Sequence, residues 1–155
     1  MLNLSEERLH QIIMEQIGVV PNIYNVMWLF NEYNKAYFGG VLPRPRFALV
    51  HDRRTLGKFT CGFDEENEVD DPEILISDCY EYTETRLRDI LVHEMIHYYL
   101  AYTQQDVYIT HGRAFKRLAN EFNSKYGTNI TKTVDTSDMR QVNYNKGNWF
   151  SRMFS

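Results

Sequence analysis

The chain has 155 residues, a length typical of a single domain that can bury a core without disulfide bonds. Its 21 acidic and 17 basic residues give a net charge of −4, which argues against an overall basic nucleic-acid-binding surface. The sequence predicts neither a membrane span nor a signal peptide, because Glu6, Glu7 and Glu15 interrupt any apolar stretch near the N-terminus. Cys61 and Cys79 form no C-x-x-C pair, so we expect free thiols and a cytoplasmic protein.

Two helices are predicted before the first strand. The first begins at Ser5, carries apolar residues on one face and ends at Gly18. The second starts at Pro21-Asn22, repeats apolar residues at intervals of three and four, and ends at Gly39-Gly40. Both apolar faces indicate packing against a core.

Three strands are predicted in the middle of the chain, at residues 46–51, 55–63 and 73–77. Asp52-Arg53-Arg54 is expected to form a hairpin tip between the first two. The acidic residues 64–71 lack the sixth-position glycine of a calcium loop, so they predict a solvated hairpin loop. With a further short strand expected at residues 129–134, the pattern indicates an α+β fold with a small antiparallel sheet of three to four strands.

A helix predicted at residues 87–102, with Thr83 as its N-cap, carries the strongest functional signal. Its apolar residues cover nearly the whole circumference, which indicates a buried helix. It nevertheless contains His93, Glu94 and His97. The two histidines lie one turn apart on one face, where they could take two corners of a tetrahedral zinc site. Glu94 lies about 100° round the helix and could act on a metal-bound water, as in the H-E-x-x-H pattern of zinc metalloproteases.

A catalytic zinc ion needs a third protein ligand and an open position. His111 is the preferred candidate, because it opens a helix predicted to run to Gly127 and because Gly112 permits close backbone approach. Glu121 would be the alternative of the gluzincin type. His10 and His51 are less well placed for this role.

Peptide hydrolysis also requires a group that stabilises the developing oxyanion. Tyr98, Tyr108 and Arg113 are near the motif in sequence and are candidates for oxyanion or substrate contact. The sequence does not choose among them.

Residues 139–155 form a basic, aromatic tail, which we separate from the domain at residues 1–138. Trp149 in this tail, together with Arg53 and Arg54, is a candidate contact for nucleic acid or a partner protein. Because the chain is acidic overall, we expect any DNA binding to be weak and to favour single strands.

The sequence resembles the SprT-like metallopeptidases, which include bacterial SprT and the eukaryotic DNA–protein crosslink protease Spartan. The similarity is carried by residues 30–34 (FNEYN), 37–43 (YFGGVLP), 91–97 (LVHEMIH), 111–115 (HGRAF) and 127–130 (GTNI). It implies a zincin-like core with one zinc ion held by His93, His97 and His111, and Glu94 as the catalytic base. The cysteine zinc ribbon of bacterial SprT is missing, and the loop at residues 64–71 is acidic rather than DNA-binding.

The resemblance therefore implies a zinc-dependent metalloendopeptidase that cleaves a protein or peptide substrate by a Glu-activated, zinc-bound water. One alternative is a non-catalytic, metal-stabilised module that binds a protein or single-stranded DNA. Another is a metal-dependent amidase, which would recruit Cys61 or Cys79 as a ligand.

Overall fold

The structure is a computed structural model that describes residues 5–9, 18–105 and 109–142. Within these residues the chain forms helix α1 (Ile23–Phe38), strands β1 (Arg46–Val50), β2 (Gly57–Phe63) and β3 (Val69–Ser77), and helices α2 (Glu84–Tyr102) and α3 (Arg113–Tyr126). The α+β class is as predicted. Residues 6–9 are helical, and the remainder of the first predicted helix lies outside the described residues.

Local capping signals determine where the helices begin and end. The Asn22 side chain accepts from the Asn25 N–H at 2.9 Å at the start of α1, and Thr83 caps α2 by accepting from the Arg86 N–H. Helices α1 and α3 end at Gly39 and Gly127, whose φ angles of 63° and 68° favour glycine. The predicted limits of these three helices are confirmed to within a few residues.

The sheet has the strand order β1-β3-β2 and is mixed. Strand β1 runs parallel to β3, with Arg46 opposite Glu73 and Val50 opposite Ser77, whereas β2 is antiparallel to β3. The prediction of an antiparallel sheet is therefore wrong for one of the two pairs. Residues 52–54 are not a hairpin tip, because β3 lies between β1 and β2.

Strand β3 begins earlier than predicted, at Val69. The Arg46 guanidinium lies 2.7 Å from Asp71 and 2.6 Å from Glu73, which offsets the negative charge of this part of the strand. The acidic loop is correspondingly shorter, and in it the Asp64 carboxylate accepts from the Glu66 and Glu68 N–H groups. The described residues 129–134 form no strand, contrary to prediction.

Helix α2 lies at the centre of the molecule and contacts α1, α3, β2 and β3. Its apolar side chains are almost completely buried, among them Leu87, Leu91, Val92, Met95 and Ile96. This confirms the prediction of a buried helix, so polar side chains on α2 need partners inside the fold.

In the part of the chain that is described, no helix is long and apolar enough to cross a membrane. Cys61 and Cys79 are free thiols, as expected.

Candidate metal centre

Three histidine side chains converge on one point. His93 and His97 project from α2 one turn apart, and His111 lies just before α3. The Nε2 atom of His111 is 3.0 Å from that of His93 and 3.2 Å from that of His97, and the His93 and His97 Nε2 atoms are 3.2 Å apart. These three nitrogens form a compact group in which each could donate a lone pair to one ion.

The packing of α3 on α2 brings His111 into this group. His111 has a φ of 55°, a left-handed conformation that is uncommon for residues other than glycine and that is often found at functional sites. One turn further on, the Phe115 ring packs against all three imidazoles, with centroid distances of 4.7 to 4.8 Å. Phe115 therefore supports the histidine group from the α3 side.

Burial keeps the imidazoles neutral. It lowers the pKa of His93 to about 4 and that of His97 to about 3, and the neighbouring histidines add to both effects. Burial, together with Lys132, also lowers the pKa of His111. Neutral imidazole is the form that binds metal ions.

The donor set fits a zinc ion. Bonds of about 2.0–2.1 Å in tetrahedral geometry place ligand nitrogens about 3.3 Å apart, close to the observed separations of 3.0 to 3.2 Å. Three neutral imidazoles cannot all hydrogen-bond to one another through nitrogens that face the same point. A cation satisfies all three lone pairs at once.

A segment after α3 holds His93 in place. The His93 ring hydrogen-bonds to the backbone of Thr131. The Asn123 side chain in turn holds this segment, because its Oδ1 accepts from the Ile130 N–H at 2.7 Å and from the Thr128 hydroxyl at 2.8 Å. Its Nδ2 also donates to the Ile130 carbonyl at 3.0 Å. These residues could not be predicted from the sequence, because no local pattern marks a backbone acceptor for a distant histidine.

Glu94 lies beside the histidines and under strand β2. Its side chain is almost buried, and this burial raises its pKa to about 8, although a hydrogen bond from the Phe59 backbone opposes the shift. A Cβ atom on Gly57 would lie 3.0 Å from both the Cγ and the Oε1 atoms of Glu94. A side chain at position 57 would therefore press on Glu94 and force a shift of a few tenths of an ångström, a contact that was not apparent from the sequence.

A cleft of about 1050 Å³ contains the three histidines and Glu94. Strand β2 and residues 132–134 form parts of its wall. The cleft is also lined by four cationic side chains: Arg53, Arg54, Lys58 and Lys132. Among its described lining residues, Glu94 is the one carboxylate, so the cleft has an excess of positive charge although the whole chain is acidic.

Of the other candidate residues, Arg53 and Arg54 line the cleft, whereas the oxyanion candidates and Trp149 are not at the cleft or are not described. The Tyr98 hydroxyl is buried and donates to the Pro43 carbonyl at 2.9 Å, and its ring stacks on Phe59. Arg113 is exposed at the start of α3 and does not line the cleft. Tyr108 and Trp149 lie outside the described residues. The structure therefore brings neither Tyr98 nor Arg113 to a position where it could stabilise an oxyanion.

The alternative metal ligands are also separate from the histidine group. Glu121 is exposed on α3, His51 lies in a different cluster, and His10 is outside the described residues. Cys61 lines the cleft but does not belong to the histidine group, and Cys79 lies with His51. Among the described residues, the donors gathered beside Glu94 are thus all imidazole nitrogens.

Fold and site together define an α+β protein whose central helix contributes to a candidate three-histidine metal centre. The sequence profile of the SprT-like family matches residues 26–135, which include the histidine group, Glu94 and Asn123. The chain belongs to the SprT-like family. A comparison with curated proteins finds no significant match.

Proposed function

We propose that this protein is a zinc-dependent metalloendopeptidase of the SprT-like type. The observation that carries the proposal is the convergence of three neutral imidazoles beside a buried carboxylate in an open cleft. A purely structural zinc site is normally closed by a fourth protein ligand and needs no neighbouring carboxylate, whereas a catalytic site keeps an open position. Membership of the SprT-like family supports the same proposal.

In this mechanism His93, His97 and His111 would hold the ion through their Nε2 atoms. A zinc ion bound there would supply Lewis acidity for the carbonyl group and for a water molecule. The Glu94 carboxylate accepts a proton from the attacking water and later donates it to the leaving amine. A carboxyl group with a raised pKa suits both steps near neutral pH, and the Phe59 N–H holds it in place.

The cleft suits an extended peptide substrate. Strand β2 is at the edge of the described sheet and also lines the cleft beside Glu94. An extended peptide can add to such an edge through backbone hydrogen bonds, which places its carbonyl groups along the cleft. The excess of positive charge in the cleft favours segments with acidic side chains.

The first test concerns the third ligand. We expect the histidine group to hold about one zinc ion per chain, and we expect His111→Ala to weaken zinc binding at this group strongly while the far-ultraviolet circular dichroism stays unchanged. Glu121→Gln is the control, because Glu121 is exposed on α3 and lies outside the histidine group, so its substitution should have no effect on zinc content. Zinc is measured by mass spectrometry and by competition with a chelator. Unaltered zinc affinity in His111→Ala would exclude His111 as a ligand.

The second test concerns catalysis. Glu94→Gln should retain zinc but lose casein cleavage by about 10²-fold or more, because the general base is removed. Glu121→Gln serves again as the matched control and should cleave at the wild-type rate. Assays with and without single-stranded DNA show whether an activator is needed. Wild-type activity in Glu94→Gln would refute the mechanism.

The alternatives give different results in the same assays. A non-catalytic binding module would bind zinc but cleave no protein substrate under any condition. A metal-dependent amidase with a cysteine ligand would lose the zinc ion of the cleft on substitution of Cys61 or Cys79, and neither thiol lies in the histidine group.

A further inference from the structure

A second group of metal-binding side chains lies outside the catalytic cleft. It consists of His51, which follows β1, and Asp78 and Cys79, which follow β3. None of the three lines the cleft. Because β1 and β3 are parallel, their carboxyl ends meet at one edge of the sheet, and the Asp78 N–H donates to the Val50 carbonyl at 3.0 Å across this edge.

The three donor atoms are close together and differ in exposure. His51 Nδ1 lies 2.9 Å from Asp78 Oδ1 and 3.6 Å from Cys79 Sγ, and all three atoms lie within 4.8 Å of one another. Cys79 is 3% exposed, whereas the His51 side chain is 63% exposed. An ion could therefore enter from the solvent side, past the imidazole, and reach the buried sulfur.

One imidazole nitrogen faces both of the other donor groups, because the Asp78 carboxylate and the Cys79 sulfur both approach His51 Nδ1. When Nδ1 carries a hydrogen it can donate to the carboxylate, and the sulfur is then only a weak acceptor of the same hydrogen. A cation in place of the shared proton would be bound by the nitrogen, the carboxylate and the thiolate together.

The geometry and the donor types point to zinc-like ions. Bonds of about 2.3 Å to sulfur and about 2.0 Å to nitrogen in a tetrahedral site place these two atoms about 3.5 Å apart, and the observed distance is 3.6 Å. We propose that His51, Asp78 and Cys79 form a second metal site, which binds a thiophilic divalent cation such as zinc. Binding replaces the thiol proton of Cys79, which is released to solvent.

This second site would anchor one wall of the cleft. The chain between β1 and β2 is already fixed near the end of β3, because the Ser77 hydroxyl donates to the Asp52 carbonyl and the Tyr80 hydroxyl donates to the Arg53 carbonyl. Arg53 and Arg54 in this connection line the cleft. A cation bound by His51 and Cys79 would add a bond between the same two segments, so its role is structural.

Cobalt(II) distinguishes the two sites, because a thiolate ligand gives an intense near-ultraviolet charge-transfer band and imidazoles do not. The full chain is stripped of metal with a chelator and titrated with cobalt(II). We expect two bound ions per chain and a charge-transfer band that accompanies one of them. Cys79→Ser should abolish the band and remove one ion. Substitution of the exposed His51 by Gln should lower the affinity for the same ion by at least about 10-fold.

Cys61→Ser is the matched control, because Cys61 is the other free cysteine and lies outside both groups. It should keep the band and both ions. His93→Ala should keep the band and lose the ion in the cleft. The experiment therefore distinguishes an error in the proposed cleft site from an error in the proposed second site. A wild-type titration without the band, or a band that survives in Cys79→Ser, would overturn the proposal. Persistence of the cleft ion in Cys79→Ser shows that this variant is folded.

Discussion

Gly57 in strand β2 lies close to Glu94. A Cβ atom at this position would lie 3.0 Å from Glu94 Cγ and 3.1 Å from Ile90 Cγ2, both inside the usual contact distance. The Glu94 side chain is nearly buried. A side chain on the neighbouring strand at this position would therefore shift the group to which the proposed chemistry is assigned.

We predict that Gly57→Ala lowers peptidase activity while the zinc content stays at the wild-type level. Overpacking should cost about 1–3 kcal/mol of unfolding free energy. A shift of the carboxylate by a few tenths of an ångström should lower the rate by less than the about 10²-fold that a misplacement of about 1 Å can cost. Zinc analysis, casein cleavage and thermal unfolding measure the three quantities.

Gly62→Ala provides the control within the same strand. A Cβ atom there would meet only the Asp70 carbonyl oxygen, at 3.7 Å, which is an ordinary contact. This variant should keep its activity. Equal activity in Gly57→Ala and wild type would show that Glu94 tolerates the shift or is not the base.

The candidate ligands could be predicted from the sequence, whereas the groups that hold them could not. His93, Glu94 and His97 are positioned by one helical period, so their spacing alone places them together. Phe59 and Thr131 act on Glu94 and His93 through backbone groups, which every residue possesses. Such backbone contacts depend on the tertiary arrangement of strands and loops, and no residue type in the sequence predicts them.

At the level of elements, Asn123 joins helix α3 to the segment that follows it. Its side chain makes three hydrogen bonds to Thr128 and Ile130, and the next residue, Thr131, accepts the hydrogen bond from His93. Asn123 therefore holds the segment that contacts His93, although Asn123 itself does not belong to the histidine group.

We predict that Asn123→Ala weakens zinc binding by about 10-fold or more, as is usual when a group that supports a metal ligand is lost. The unfolding free energy should fall by about 1–3 kcal/mol, because buried hydrogen-bonding groups lose their partner. Chelator competition and thermal unfolding are the measurements. Asn120→Ala on the exposed face of α3 is the control, and it should match wild type. If both variants bind zinc equally well, the segment does not position His93.

The elements themselves were predicted with unequal success for a physical reason. Helix limits follow from capping residues such as Asn22, Thr83 and Gly127, which act within one turn of the chain. Strand pairing is long-range, and the turn-like residues 52–54 gave no indication that β3 would insert between β1 and β2. The acidic residues at the start of β3 predict a loop when only the sequence is considered. Arg46, which pairs with Asp71 and Glu73, is distant from them in sequence and lies beside them only once the sheet has formed.

At the level of the whole molecule, charge is distributed unevenly. The chain carries a net charge of −4, yet Arg53, Arg54, Lys58 and Lys132 all line the cleft. Arg46, by contrast, is paired with Asp71 and Glu73 and adds little to a basic surface. A local cationic cleft in an acidic protein attracts short anionic segments but gives a duplex few phosphate contacts.

We therefore predict no tight binding of duplex DNA, and at most weak binding of single strands that depends on the C-terminal tail. Phosphate contacts weaken steeply with salt, whereas stacking on Trp149 would add about 1–3 kcal/mol per base. Fluorescent single-stranded and duplex DNA should be titrated at two salt concentrations with wild type, Trp149→Ala and the double variant Arg53→Glu/Arg54→Glu. The Trp149 substitution should reduce single-strand binding at both salt concentrations, and the double substitution mainly at the lower one.

Truncation of the C-terminal tail tests its contribution to DNA binding more directly than the substitution of Trp149. The residue at which the truncated chain ends must be chosen so that the domain keeps its contacts. The Arg140 carbonyl accepts from the Glu81 N–H, and the Val142 N–H donates to the Cys79 carbonyl, so residues up to 142 pair with the domain. A chain ending at Val142 keeps these bonds and loses Trp149. Single-strand binding should then disappear. Sub-micromolar duplex binding that survives this truncation would contradict the prediction, because it would place a DNA-binding surface on the domain itself and favour a Spartan-like role.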